Sequence, residues 1–278
     1  MRDVRDVRAL RLEGIEERYE RYKEKIKNYT IMDDIFMRNV LKEQGCTEYM
    51  LQVIMNQKDL QVVEQTLQKD YKNLQGRSAI LDCVARDERA RQFNVEIQGD
   101  NEGASPERAR YHSCLLDMNI LSPREPFTGL PETYIIFITR NDVLGYNRII
   151  CHITRKVEEE GKDFGDGSHI IYVNSKKRED TELGKLMHDL HCKESGEMHS
   201  KILASRVREL KETEKGVSEM CRDMEEIYGE GMEEGERKKA RETVLSLAEL
   251  KMSEEQISQI VKMPLEVVQG WIEESLAI

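Results

Sequence analysis

Seven consecutive residues, Thr133–Thr139 (TYIIFIT), constrain the fold most. The run is almost continuously apolar, β-branched and aromatic. It reads as a central strand buried on both faces. Shorter strand patterns precede it at 60–68 (LQVVEQTLQ), 79–86 (AILDCVAR) and 91–98 (RQFNVEIQ). Two more follow at 147–154 (NRIICHIT) and 168–174 (SHIIYVN), separated by the acidic stretch VEEEGKDFGDG. Helical spacing appears in two patterns over 33–57, with Gly45 expected as the stop between them, and again from Glu107 to Leu121. From Thr181 onward every pattern is helical. The expected order is helix, three strands, helix, strand, with extra strands after it. That is an α/β fold with a mixed sheet, followed by an all-helical C-terminal region.

Composition divides the chain further. Residues 1–28 are dense in Arg and Glu and predict a charged helical arm. The core is expected over 29–192, a charged helical extension over 193–240, and a small helical, helix-turn-helix-like tail over 241–278. In that tail Ser253 and Gln256 form a capping-box start, and Lys262-Met263-Pro264 a turn. Its last helix carries Glu266, Glu273 and Glu274 without a Lys or Arg, so packing or self-association is expected there rather than base reading. Trp271 should anchor this small core.

Charged residues make up 35% of the 278 residues, and the net charge is −11. This balance excludes a protein that coats nucleic acid by bulk charge, so any phosphate-binding surface must be local. Lys72, Arg77, Arg86, Arg89 and Arg91 are candidates for such a patch, with solvated side chains as the alternative. The six cysteines (46, 83, 114, 151, 192 and 221) show no CxxC spacing, and no apolar leader or spanning run is present. A cytoplasmic protein with reduced thiols and no membrane partner is expected. His188, His191 and Cys192 look like a metal cluster at first sight, but no second ligand pair at zinc spacing follows, and a zinc site is not expected.

The chemistry concentrates in the hairpin 79–98. Side chains alternate along a strand, so Glu96 and Gln98 share one face, and Phe93, Val95 and Ile97 the other. A turn centred on Arg89 sets Asp82 directly opposite Glu96. Two carboxylates then stand roughly 5 Å apart at Cβ. Like charges so placed repel, unless a divalent cation bridges them. Mg²⁺ commonly takes one or two carboxylates together with water and substrate phosphate. The competing reading is a hydrophilic outer face on a half-exposed sheet.

The element order and the pattern Asp82…Glu96-Ile97-Gln98 resemble the PD-(D/E)xK nuclease superfamily and its restriction-endonuclease-like αβββαβ core. The stretches NLQGRSAILDC, FNVEIQ, RARYHS, LPETYIIFITRNDVLG, FGDGSHIIYVN and LMHDL look more specifically like its bacterial branch, the PD-(D/E)xK nuclease family transposases, related to the recombination-promoting nucleases. That likeness spans about residues 30–225. The resemblance implies a metal-dependent DNA endonuclease, acting on double-stranded DNA and connected with recombination or mobile elements. It implies Asp82 and Glu96 as ligands of Mg²⁺, with Mn²⁺ substituting, and the backbone carbonyl of Ile97 as a further ligand. Asp33, Arg110 and Tyr111 match supporting positions.

Gln98 departs from the superfamily pattern, which has lysine there. Glutamine has no charge and no useful pKa, although it can hold a water by hydrogen bonds. A catalytically weak or inactive relative, acting in DNA binding or regulation, is therefore the rival reading. The charged C-terminal helices could also pair two chains into a homo-oligomer.

Overall fold

The computed structural model describes residues 4–71, 78–99 and 101–276, with side chains for 14–71, 78–99 and 103–275. It divides into two units, Met1–Cys221 and Arg222–Ile278.

The first unit is built on a six-stranded mixed sheet. Its strands are β1 (Val62–Tyr71), β2 (Ala79–Asp87), β3 (Gln92–Gln98), β4 (Thr133–Thr139), β5 (Ile150–Ile153) and β8 (Ser168–Asn174). Their order is β1-β2-β3-β4-β8-β5. β1, β2 and β3 run antiparallel by hairpin connection, whereas β3, β4 and β8 are parallel and β5 is antiparallel to β8. All seven residues of β4 are buried, as its unbroken apolar run requires. The acidic stretch after β5 is not a plain loop. It folds into a small hairpin of β6 (Lys156–Val157) and β7 (Lys162–Asp163), turning at Gly161 with φ +64°. The sequence KNLQGRS between β1 and β2 reads as a turn, and its residues 72–77 lie outside the described residues.

Helices precede and follow the sheet. α1 (Val4–Asn28) is charged along its length, yet Tyr22 and Ile26 in its C-terminal turns are buried. α2 (Asp34–Leu41) and α3 (Gln44–Ile54) break at Glu43, whose extended backbone (φ −85°, ψ 106°) starts α3. Gly45 is therefore inside the first turn of α3 and is not the stop expected from sequence. α4 (Pro106–Met118) links β3 to β4 in the parallel crossover, capped by Ser105, whose side chain accepts from the Arg108 N–H. Ala109 and Leu116 of α4 share a core with Val84, Ile135, Phe137 and Tyr172. α5 (Glu182–Leu190) and α6 (Lys201–Glu212) pack with α3. The αβββαβ order expected from sequence is thus present, with β8 and β5 added beyond β4.

The boundary between the units falls within α7 (Glu214–Glu249). The second unit also holds α8 (Glu254–Val261) and α9 (Leu265–Leu276). Ser253 and Gln256 form the capping box, and Lys262 closes α8 in the left-handed conformation (φ 56°) just before Pro264. Val244, Ile257, Val268 and Trp271 make a small separate core. Trp271 spends its surface on that packing. Among the described residues, no helix is long and apolar enough to cross a membrane.

Phe137 is fully buried and stacks on Tyr172 with ring centroids 5.5 Å apart. Phe137→Ala should destabilise the first unit by about 3–5 kcal/mol in urea unfolding, whereas a loss below about 1 kcal/mol would contradict its place in the core.

Candidate metal and phosphodiester site

The strand register assembles the site. β2 and β3 pair Cys83 with Val95, so one residue further along Asp82 faces Glu96, as the turn arithmetic requires. On the other side of β2 the register brackets Asp82 opposite Gln68. Glu96 pairs with Phe137 of β4, and Phe137 with Tyr172 of β8. One lateral row thus runs Gln68, Asp82, Glu96, Phe137, Tyr172. It is polar over the antiparallel half and aromatic over the parallel half. Residues paired in register share a face, so Glu96 lies on the face that α4 covers.

Glu96 is fully buried, so the reading of this strand face as a hydrophilic outer surface does not hold. A buried carboxylate must be surrounded by donors. Its Oε1 accepts from the Asp82 backbone N–H at 3.2 Å and from Asn94 Nδ2 at 3.0 Å. Its Oε2 accepts from Arg108 Nη2 at 3.4 Å and from Gln98 Nε2 at 3.5 Å. Arg108 also donates from Nε to His112 Nε2 at 3.3 Å. That bond leaves the proton of a neutral His112 on Nδ1, which stands 3.5 Å from Glu96 Oε1.

Asp82 has weaker support. Gln68 Nε2 donates to Oδ1 at 3.3 Å, and the Ile97 backbone contributes a further hydrogen bond. Burial pushes the Asp82 carboxyl up to about 7, and the charges of Glu96 and Asp34 push in the same direction. Two facing carboxylates therefore share too few donors, and protonation of Asp82 relieves the repulsion when no cation is present.

The donor set suits a hard divalent ion. It comprises the carboxylates of Asp82 and Glu96, and Asn94 Oδ1 is buried beside them with no hydrogen-bond partner. Oxygen ligands of this kind fit Mg²⁺ or Mn²⁺.

Other expected residues fall nearby or elsewhere. Arg110 is exposed, because two residues along a helix is about 200° around its axis and α4 turns Arg108 and His112 inward instead. Tyr111 is half-buried on α4. Asp33 Oδ2 accepts from the N–H and hydroxyl of Thr30 at 2.7 and 2.9 Å, and its Oδ1 stands 3.9 Å from Arg140 Nη2. Arg140 in turn donates its backbone N–H to the Gln98 carbonyl at 3.1 Å, which holds Asp33 near the end of β3. Arg86, Arg89 and Arg91 do not form an open basic patch. They pair with Glu64, Asp59 and Asp87 respectively, and Lys72 and Arg77 lie outside the described residues.

Sequence reasoning missed Gln68, Asn94 and His112 as members of this cluster. Asn94 carried a signal: asparagine is depleted within strands, and here it lies two residues before Glu96 on the same face. Gln68 and His112 carried none, since their roles depend on the strand register and on the helix crossing.

A family model described as PD-(D/E)XK nuclease family transposase matches residues 47–239, more than half of the chain. The match includes Asp82, Glu96, Gln98 and Arg108, whereas Asp33 and the last helices fall outside it. No curated protein and no solved structure matches.

Because Asp82 carries a raised pKa, its proton is retained on folding between its ordinary range near 4 and about 7, and stability falls as pH rises through that window. In metal-free buffer the stability advantage of Asp82→Asn over the wild type should therefore be largest at pH 8, smaller at pH 5, and lost only near pH 4. Urea midpoints check this, and an equal difference at all three pH values would contradict the raised pKa.

Proposed function

Since the chain belongs to the PD-(D/E)XK nuclease family transposases, we propose that it hydrolyses phosphodiester bonds of double-stranded DNA, using a divalent cation held by Asp82 and Glu96. The reading rests above all on one observation. Two carboxylates face each other across a hairpin, one of them fully buried, with the Asp82 backbone N–H donating to Glu96. Such an arrangement costs folding energy that only a cation or a proton offsets. Mg²⁺, or Mn²⁺ in its place, would polarise the scissile phosphate and make water more acidic. Recombination or mobile elements are the setting that the family suggests.

The protein's own groups divide the remaining work. Asp82 and Glu96 would hold the cation, with the Ile97 carbonyl as the further ligand that the family pattern implies. Gln98 uses its N–H on Glu96, which leaves its Oε1 to accept a hydrogen bond from the attacking water. Arg108 supplies the positive charge that Gln98 cannot. Its guanidinium is within reach of both Glu96 and His112, and its side chain remains 39% exposed, so it can also meet a phosphate. Gly103 makes room for this pair: a Cβ there would lie 2.0 Å from Gln98 Oε1 and 3.4 Å from Arg108 Nη1.

Gln98 also favours a second reading, a nuclease-fold protein that binds DNA without turnover. Purified protein with Mg²⁺ or Mn²⁺, incubated with supercoiled, linear and single-stranded DNA, separates the two. Nicking that disappears in Asp82→Ala supports hydrolysis. DNA binding without cleavage by the wild type supports the second reading, and nicking shared equally by wild type and mutant contradicts the first. Arg108→Gln should reduce cleavage by about 100-fold, as loss of a charge-stabilising donor does. Arg110→Gln should have a smaller effect. Gly103→Ala should also lower cleavage, because its methyl group displaces the Gln98 amide while leaving the carboxylates in place.

A further inference from the structure

The connection from α5 to α6 gathers a second set of ligand-type side chains, on elements that contribute nothing to the Asp82–Glu96 pair. His188 and Asp189 are in the last turn of α5, and Cys192 lies just beyond its end. His191, the other candidate at sequence level, turns elsewhere and places Nε2 2.9 Å from the Ser175 hydroxyl. Asp189 takes its place in the cluster. Its carboxylate is fully buried and accepts from the backbone N–H of His199 at 2.8 Å and of Ser200 at 2.7 Å. The chain returning into α6 thus fixes Asp189 beside His188. That long-range step is why the spacing of the sequence did not reveal it.

We propose that His188, Asp189 and Cys192 form a second metal site, for an ion of the zinc class, distinct from the Asp82–Glu96 site. The distances fit. A tetrahedral ion about 2.3 Å from sulfur and about 2.0 Å from nitrogen and oxygen sets S and N about 3.5 Å apart, and N and O about 3.3 Å apart. Here Cys192 Sγ lies 3.4 Å from His188 Nδ1, and His188 Nδ1 lies 3.3 Å from Asp189 Oδ1. All three ligand atoms lie within 4.8 Å of one another.

The chemistry selects the metal. A thiolate with an imidazole favours zinc over magnesium, whereas the all-oxygen set at Asp82 favours the reverse. The Asp189 carboxylate is already oriented by two backbone N–H donors, the arrangement that outer partners give a metal ligand. The His199 ring packs against His188 with centroids 4.8 Å apart and holds that imidazole in place. The His188 side chain is one-third exposed, so an ion can enter and water can complete the tetrahedron. An ion here would staple the end of α5 to the start of α6.

Cobalt(II) titrated into the full chain tests the proposal, because a thiolate ligand gives a charge-transfer absorption band that oxygen ligands do not. The wild type and Asp82→Ala should both show the band at one equivalent. Cys192→Ser should lose it, and His188→Gln should weaken Zn²⁺ binding at least about tenfold in chelator competition, since loss of even an outer-shell partner costs about 10–100-fold. His188 is partly exposed, so its variant should fold even if the buried Cys192 variant does not. No band in the wild type, a band that survives in Cys192→Ser, or unchanged Zn²⁺ affinity in His188→Gln would overturn the site. Loss of the band in Asp82→Ala would overturn its independence from the hairpin.

Discussion

The rest of the structure depends on the confrontation of Asp82 and Glu96 across the β2–β3 hairpin. Neither carboxylate can leave. The β2–β3 register, which runs to Cys83–Val95, sets Asp82 beside Glu96, whose Oε1 accepts the Asp82 N–H, and β4 fixes β3 by seven parallel pairs from Gln92–Thr133 to Gln98–Thr139. Glu96 is made tolerable by four donors, from Asp82, Asn94, Arg108 and Gln98. Asp82 receives less support, and burial together with the charge of Glu96 pushes its carboxyl up to about 7. A sheet that holds one carboxylate well satisfied beside an under-satisfied one offers the oxygen donors that a hard cation would take. The aromatic half of the same row, Phe137 and Tyr172, is buried and stacked on the parallel side.

α4 converts that strand geometry into a site. Its N-cap at Ser105 starts the helix one turn before Arg108, and helical spacing then sets Arg108 and His112 on one face above Glu96. The positive charge absent at Gln98 therefore has a source on a different element. Charge that comes from a helix rather than from a strand need not appear in a strand motif. This is how a departing motif would be reconciled with the proposed site.

The sequence made local periodicity legible, along with whatever followed from it. The unbroken run Thr133–Thr139 identified the central strand, the alternation in 91–98 gave the shared side of Glu96 and Gln98, and the turn arithmetic gave the partner of Asp82. What it could not convey was depth and crossing. Alternation places Glu96 on a side but does not say that α4 covers that side. Nor does it say that Arg108 rather than Arg110 reaches inward, or that Arg86, Arg89 and Arg91 are already paired. Gly45 misled because glycine at the start of a helix resembles glycine after the end of one. Asp189 was invisible as a ligand because its orientation comes from backbone donors ten and eleven residues away.

The central claim is that Asp82 and Glu96 together form a cation site, and Mn²⁺ binding tests it without depending on turnover. Titration calorimetry of the full chain at pH 8 should reveal one Mn²⁺ site in the wild type, and Glu96→Gln should weaken that site at least about tenfold, by analogy with lost metal partners. The wild-type affinity should also fall as pH drops below about 7, where Asp82 takes up its proton. Equal Mn²⁺ binding by wild type and Glu96→Gln, or an affinity that ignores pH across that range, would contradict the account.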